Sequence, residues 1–200
     1  MTDPNTSPWP DLFVVKQFLE PQTCDEIVAE MRASQADAAT VYGRAASGVV
    51  DQGVRQTLRS RPSQTTVDFV TQRFLSSKQA LEDHFAVTLA ECEDPQFLRY
   101  REGDFFVAHQ DGNTGLLRLD TESRLVSLVI FLSLESVSPQ DGAHCGGSLV
   151  FTNLWPRANE REKFHLSGEP GMLVAFRSET THEVTPVTHG ERYSIVSWFR

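Results

Sequence analysis

The chain has 200 residues, 40% hydrophobic and 22% charged, proportions of a globular domain with a full core that is too short to divide into two domains of ordinary size. A formal net charge of -9 repels a phosphate backbone, and the only dense basic cluster, Arg55, Arg59 and Arg61, is small, so no nucleic-acid partner is expected. No apolar run approaches the ~20 residues that cross a bilayer, and Met1-Thr2-Asp3-Pro4 does not begin a basic-then-apolar leader, so no membrane partner is expected and the chain reads as cytoplasmic.

Residues 1–11 hold three prolines among polar neighbours and read as a flexible N-terminal arm, leaving 12–200 as a single domain. Leu12 to Leu19 is apolar and β-prone. A helix follows from about Pro21, with Thr23 as N-cap, Glu26 completing a capping box, and Ile27, Val28 and Met31 as its apolar stripe. Ala38 to Tyr42 reads as a strand. The polar stretch to Pro62 is long for a loop and holds only a short strand near Gln56 to Arg59; it reads equally as a lid or a surface excursion. Thr65 to Leu89 carries apolar residues at helical spacing, with Ser76-Ser77 marking a break. His84 belongs at the edge of that helix.

From Pro95 the pattern changes to short β-prone runs separated by Gly, Pro, Asp or Asn: Gln96 to Arg101, Phe105 to His109, Leu125 to Leu134, Gly147 to Phe151, Lys163 to Leu166, Met172 to Phe176, His182 to Val187 and Arg192 to Phe199. About eight strands behind a helical first half predict an α+β fold: a double-stranded β-helix, or jelly roll, with helices packed on one sheet. Cys24, Cys92 and Cys145 share no CxxC spacing, so no disulfide framework or thiolate zinc site is indicated. His144, between Asp141-Gly142 and Gly146-Gly147, reads as a mobile loop tip beside Cys145. His165 and His189 read as solvent-facing.

The chemistry concentrates at His109-Gln110-Asp111. Two metal-capable side chains one residue apart on a strand share a face, and with His182 downstream they form the two-histidine, one-carboxylate set that leaves positions open on Fe(II). If Thr188-His189-Gly190 is a hairpin turn, Val184 faces Ser194, and His182, Val184, Arg192, Ser194 and Trp198 look into one cavity. Arg192 then offers a planar fork to the far carboxylate of a small dicarboxylate whose other end chelates the metal, most simply 2-oxoglutarate. Arg124 stands where the cavity mouth should be.

At these residues the chain resembles the prolyl 4-hydroxylase-like family of Fe(II)- and 2-oxoglutarate-dependent dioxygenases. The likeness runs through Phe18-Leu19, Cys24-Asp25, Arg59-Ser60, Tyr100-Arg101-Glu102-Gly103, His109-Gln110-Asp111, Gly146-Gly147, Pro170-Gly171, His182 to Val187, Arg192 and Trp198. It implies His109, Asp111 and His182 as metal ligands, Arg192 beside them in catalysis, a cosubstrate pocket of Arg192, Tyr100, Val184, Trp198, Val129, Phe131 and Leu149, and Arg124 and Arg59 toward substrate. Fe(II), 2-oxoglutarate and O2 are the implied cofactors, with ascorbate as reductant. Phe106 and Phe131 depart from tyrosines common in relatives, so the hydroxyl that helps hold the far carboxylate must come from elsewhere, with Tyr100 a candidate. Asp111 leaves no open site for a halide. The expected reaction is hydroxylation of an unactivated C–H, on a prolyl residue of a protein or peptide, with release of succinate and CO2. The alternatives are a free amino acid or other small metabolite as substrate, or a non-catalytic metal-binding jelly roll.

Overall fold

The computed structural model describes residues 11–40, 51–112, 123–152, 154 and 163–200. The N-terminal arm up to residue 10, residues 43–50 of the loop proposed as a lid, and 113–122 of the connection after the HxD motif lie outside these residues. In order, the elements are β1 (Leu12–Val15), α1 (Pro21–Ala33), β2 (Ala36–Ala38), β3 (Arg55–Gln56), β4 (Leu58–Ser60), α2 (Gln64–Ser76), α3 (Lys78–Phe85), β5 (Gln96–Tyr100), β6 (Phe105–His109), β7 (Val126–Phe131), β8 (Leu134–Glu135), β9 (Ala143–Gly146), β10 (Leu149–Thr152), β11 (Lys163–Leu166), β12 (Leu173–Arg177), β13 (His182–Val184), β14 (Val187–His189) and β15 (Arg192–Phe199).

A seven-stranded sheet (β1-β12-β7-β15-β5-β4-β2) faces a five-stranded one (β11-β10-β13-β6-β3), and β14-β9-β8 forms a third, smaller sheet. Strand residues alternate between two cores, as the period of two requires. On β7, Val126, Leu128 and Ile130 face the helices, while Val129 and Phe131 face the second sheet. On β15, Tyr193, Ile195 and Phe199 face the helices. The helices contribute Cys24, Ile27, Met31, Val70, Phe74, Leu81 and Phe85 to that outer core. This is the expected jelly roll with helices on one sheet.

Local chemistry accounts for most element ends. The helical stretch breaks at Ser77, as expected, whose hydroxyl donates to the Phe74 carbonyl, and α3 ends on Ala86 in the left-handed region at φ 52°. The start of α1 differs from expectation. Glu20 is the N-cap without a side-chain cap and Pro21 is the first helical residue, because proline's fixed φ and missing N–H suit that position; Glu26 instead accepts from Gln22 within the helix.

Three strand expectations are corrected. His182 to Val187 is two strands, because Pro186 cannot donate to a ladder; β13 joins the five-stranded sheet and β14 pairs with β9. The expected hairpin between the His182 strand and the Arg192 strand does not form, since β15 pairs with β5 and β7 in the opposite sheet. The segment around His144 and Cys145 is strand β9 rather than a loop tip, paired in parallel with β8 and antiparallel with β14. His144 is 2% exposed. Flanking glycines hid the strand, because pairing partners outweigh local propensity.

Candidate active site

β6 and β13 lie side by side with His109 and His182 in register, so the two imidazoles emerge together, their ring centres 4.2 Å apart. Asp111 follows two residues after His109, and its backbone N–H donates to the Ser178 carbonyl. The ligand atoms of His109, Asp111 and His182 all lie within 4.8 Å of one another, so the three can hold a metal ion. The Nδ1 of His109 faces the Val107 carbonyl at 2.8 Å and that of His182 faces the Thr180 carbonyl at 2.9 Å. A carbonyl only accepts, so each Nδ1 carries the proton and each Nε2 turns a lone pair to the cluster. Those Nε2 atoms stand 3.6 and 3.5 Å from the two Asp111 oxygens.

Burial opposes ionisation of Asp111, but the imidazoles of His182 and His109 outweigh it and hold the carboxyl far below the usual range. His182 is pushed down to about 4, first by burial and then by His109. The resting cluster is therefore one carboxylate beside a neutral His182, the protonation that metal binding requires. The Ser127 hydroxyl donates to Asp111 at 2.8 Å and sits 2.9 Å from that of Ser178. Ser127 went unnoticed in the sequence, although a lone serine on the inward parity of an otherwise apolar β7 was a readable signal.

The cluster borders a cavity of about 240 Å³. Tyr100, Val129, Leu149, Val184, Arg192 and Trp198 all line it, and they come from both sheets; Val184 and Arg192 reach it from opposite sheets rather than from one hairpin. Phe131 is not among the lining residues but flanks Arg192, whose guanidinium carbon is 5.5 Å from the Phe131 ring centre and 5.0 Å from that of Tyr100. Arg124 lines the cavity, yet Glu93 holds it at 2.7 and 2.5 Å and it lies 3.7 Å from the Trp198 ring centre. Arg59 is exposed on β4 and lies outside the lining, which takes Arg55 instead.

Arg192 tests whether the cavity suits a dicarboxylate. It is 2% exposed, donates to the Ser194 hydroxyl at 2.9 Å, and its Nε is buried with no hydrogen-bond partner. Among the described residues it forms no ion pair. Burial lowers its pKa, partly offset by Tyr100 and Glu135. A buried guanidinium with an orphaned donor is costly unless a carboxylate completes it, so these residues fit the far end of 2-oxoglutarate. His144 lies behind Arg192, and burial and the guanidinium push its pKa down to about 4.

Sheets and cluster together define a jelly-roll oxygenase, and the comparisons name the family. The chain belongs to the 2OG-Fe(II) oxygenase superfamily, whose model matches residues 95–200; the family's reaction uses Fe(II), 2-oxoglutarate and dioxygen. Within it the chain is similar to a PKHD-type hydroxylase of Paracoccus denitrificans, 28% identical over 195 residues that cover 94% of this chain and 77% of that one. A PKHD-type hydroxylase of Shewanella oneidensis is 32% identical over 111 residues, 53% of this chain; the match spans only 42% of that relative's length. Among solved structures, a Pseudomonas putida prolyl-4-hydroxylase superposes with a TM-score of 0.71 at 23% identity, covering 95% of this chain and 92% of that one. A Trichoplax adhaerens prolyl hydroxylase, in complex with a hypoxia inducible factor oxygen degradation domain peptide fragment, gives 0.69 at 17%, covering 95% and 83%. At these identities the two structures show the fold alone. Among the described residues no helix is long and apolar enough to cross a membrane.

Proposed function

We propose that residues 12–200 form one dioxygenase domain that hydroxylates an unactivated C–H of a prolyl residue in a protein or peptide, with formation of succinate and CO2. The observation that carries this reading is one cavity that joins a two-histidine, one-carboxylate cluster to a buried guanidinium with an unpartnered Nε. His109, Asp111 and His182 would hold Fe(II). Bound there with 2-oxoglutarate, the iron supplies the activation of dioxygen.

The chain's own residues bind, orient and exclude water. Carbonyl contacts from Val107 and Thr180 hold the imidazoles with Nε2 free, and Ser127 fixes one Asp111 oxygen. Arg192 takes the far carboxylate of 2-oxoglutarate. Ser194 accepts from Arg192, so its own proton remains to donate to that carboxylate, in place of the hydroxyl that Phe131 lacks. Val129, Leu149, Val184 and Trp198 keep this end dry, which strengthens the charged contact.

Size limits what the cavity can enclose. The cavity, at about 240 Å³, is smaller than the roughly 300–1,000 Å³ of sites that enclose a drug-sized ligand. What favours a prolyl residue of a peptide over a free metabolite is the names of the prolyl hydroxylase neighbours, one of them in complex with a peptide fragment.

The test loads the protein anaerobically with Fe(II), adds 2-oxoglutarate and ascorbate, admits air and measures succinate with and without a pool of proline-containing peptides. Stimulated succinate release and peptides gaining one oxygen mass are expected. Stimulation by free amino acids alone would move the substrate to a small metabolite, and iron binding without any 2-oxoglutarate consumption would leave a non-catalytic module.

A further inference from the structure

The cavity carries a second unmatched cation, to which the proposed binding of metal and cosubstrate gives no role. Arg55 on β3 is 8% exposed and lines the cavity. Its guanidinium carbon lies 4.7 Å from the centre of the Phe106 ring, and that ring stacks on the His109 imidazole at 3.5 Å. The Thr40 carbonyl engages one N–H at 3.1 Å, while Nε is buried with no hydrogen-bond partner. Among the described residues no carboxylate forms an ion pair with it.

Charge balance sharpens the point. The chain carries -9 overall, yet the described lining of this cavity holds three arginines and the single carboxylate of Asp111. Glu93 pairs with Arg124, and shares one oxygen with Arg200. A divalent metal together with Arg192 is matched by Asp111 together with a dianionic cosubstrate. Among the described lining residues Arg55 is the one left without a counter-charge, and a desolvated cation in that state is destabilising until an anion reaches it.

We infer that Arg55 reads the substrate by receiving a carboxylate that the substrate itself carries; the inference rests on the 2-oxoglutarate-dependent reading of the same cavity. The Phe106 ring holds the guanidinium plane in place, so its remaining N–H groups form a fixed fork for a carboxylate. Because that ring touches both Arg55 and His109, the anchored carboxylate stays within a side chain's reach of the cluster. Two sources fit the chemistry: an Asp or Glu side chain beside the reacting residue of a peptide, and the α-carboxylate of a free amino acid. An acidic neighbour thus becomes a specificity determinant that net charge would never have suggested.

The test uses the whole chain loaded with Mn(II) and 2-oxoglutarate, compared with Arg55→Gln and Arg55→Lys. The probes are prolyl pentapeptides in matched pairs, with Glu or Gln and Asp or Asn on either side of the proline, and free amino acids paired with their amides. Dissociation constants are read from tryptophan fluorescence. Wild type is expected to bind the acid members of one set about tenfold or more tightly than the amides. Arg55→Gln erases that ratio and Arg55→Lys keeps part of it, both with a melting temperature no lower than that of wild type and unchanged affinity for Mn(II) and 2-oxoglutarate. A ratio confined to the peptides assigns a side-chain carboxylate, and one confined to amino acids assigns the α-carboxylate. Equal binding of acids and amides by wild type, a ratio that survives Arg55→Gln, or no binding in either set by protein that holds Mn(II) and 2-oxoglutarate overturns the inference. Wild-type protein that fails to bind 2-oxoglutarate would strike down the proposed function first and this inference with it, which separates the two failures.

Discussion

At the scale of single residues, the proposed function divides the work between the cluster, which would hold the metal, and the Arg192 guanidinium, which would take the cosubstrate. His109→Ala removes one of three ligand atoms and is expected to abolish stoichiometric Fe(II) binding, measured by equilibrium dialysis. Arg192→Gln leaves the cluster intact, so iron still binds while the KM for 2-oxoglutarate rises about tenfold to a hundredfold, the loss expected for a charge-assisted pair. Full turnover by either variant would reject the assignment. His144 and His182 predict how stability responds to acid. Both are pushed from the ordinary 6.5 down to about 4 by burial first, then by Arg192 and His109 respectively. The unfolded chain takes up protons below about pH 6.5 and the folded chain resists them, so this stabilisation is complete above 6.5 and is lost as pH falls toward 4. In urea unfolding of the metal-free protein, His144→Asn is expected to reduce the stability lost over that window by roughly 2 kcal/mol.

Between elements, one backbone position decides where Arg192 can sit. Gly147, just before β10, has φ +68°, and a Cβ there would stand 2.9 Å from Cδ of Arg192 and 2.9 Å from Cγ2 of Val187. Only glycine meets both conditions without strain. Gly147→Ala therefore displaces the guanidinium, and the KM for 2-oxoglutarate is expected to rise about tenfold with Fe(II) affinity unchanged; a parallel loss of iron would mean that β13 moved as well. The same junction shows what local reading missed. Gly146-Gly147 and Asp141-Gly142 look like loop punctuation, yet β9 between them is strand because β8 and β14 supply its partners. His144 is buried for that reason, which nothing within five residues of it announces.

For the whole molecule, two cores with different duties meet across the seven-stranded sheet. Phe74 belongs to the helix-facing core, and Phe151 to the core between the sheets, where its ring lies 4.9 Å from that of Phe176 and 6.3 Å from His182. Phe74→Ala and Phe151→Ala should each destabilise by about 3–5 kcal/mol. Only Phe151→Ala should also weaken Fe(II) binding in protein that remains folded, read by metal titration below its melting temperature. Equal effects on iron would mean that the two cores are not separable.

The sequence by itself determined the alternation along 126–131 and 192–199, the helical stripes, and the HxD spacing, because side-chain periodicity is a property of the strand or helix alone. It also determined that His182, Val184, Arg192, Ser194 and Trp198 turn inward, since parity survives whichever neighbour a strand finds. Only the tertiary structure decided that His182 and Arg192 face each other from opposite sheets, that Ser127 supports Asp111, and that Arg55 rather than Arg59 reaches the cavity. Arg55 and Arg59 show the physical reason. They are four residues apart in one polar stretch, but the chain changes sheets between β3 and β4 at Thr57, whose hydroxyl donates to the Arg99 carbonyl. Which arginine meets the cavity was settled by strand pairing with β6 and β5, and such long-range partners are chosen by packing rather than by local sequence.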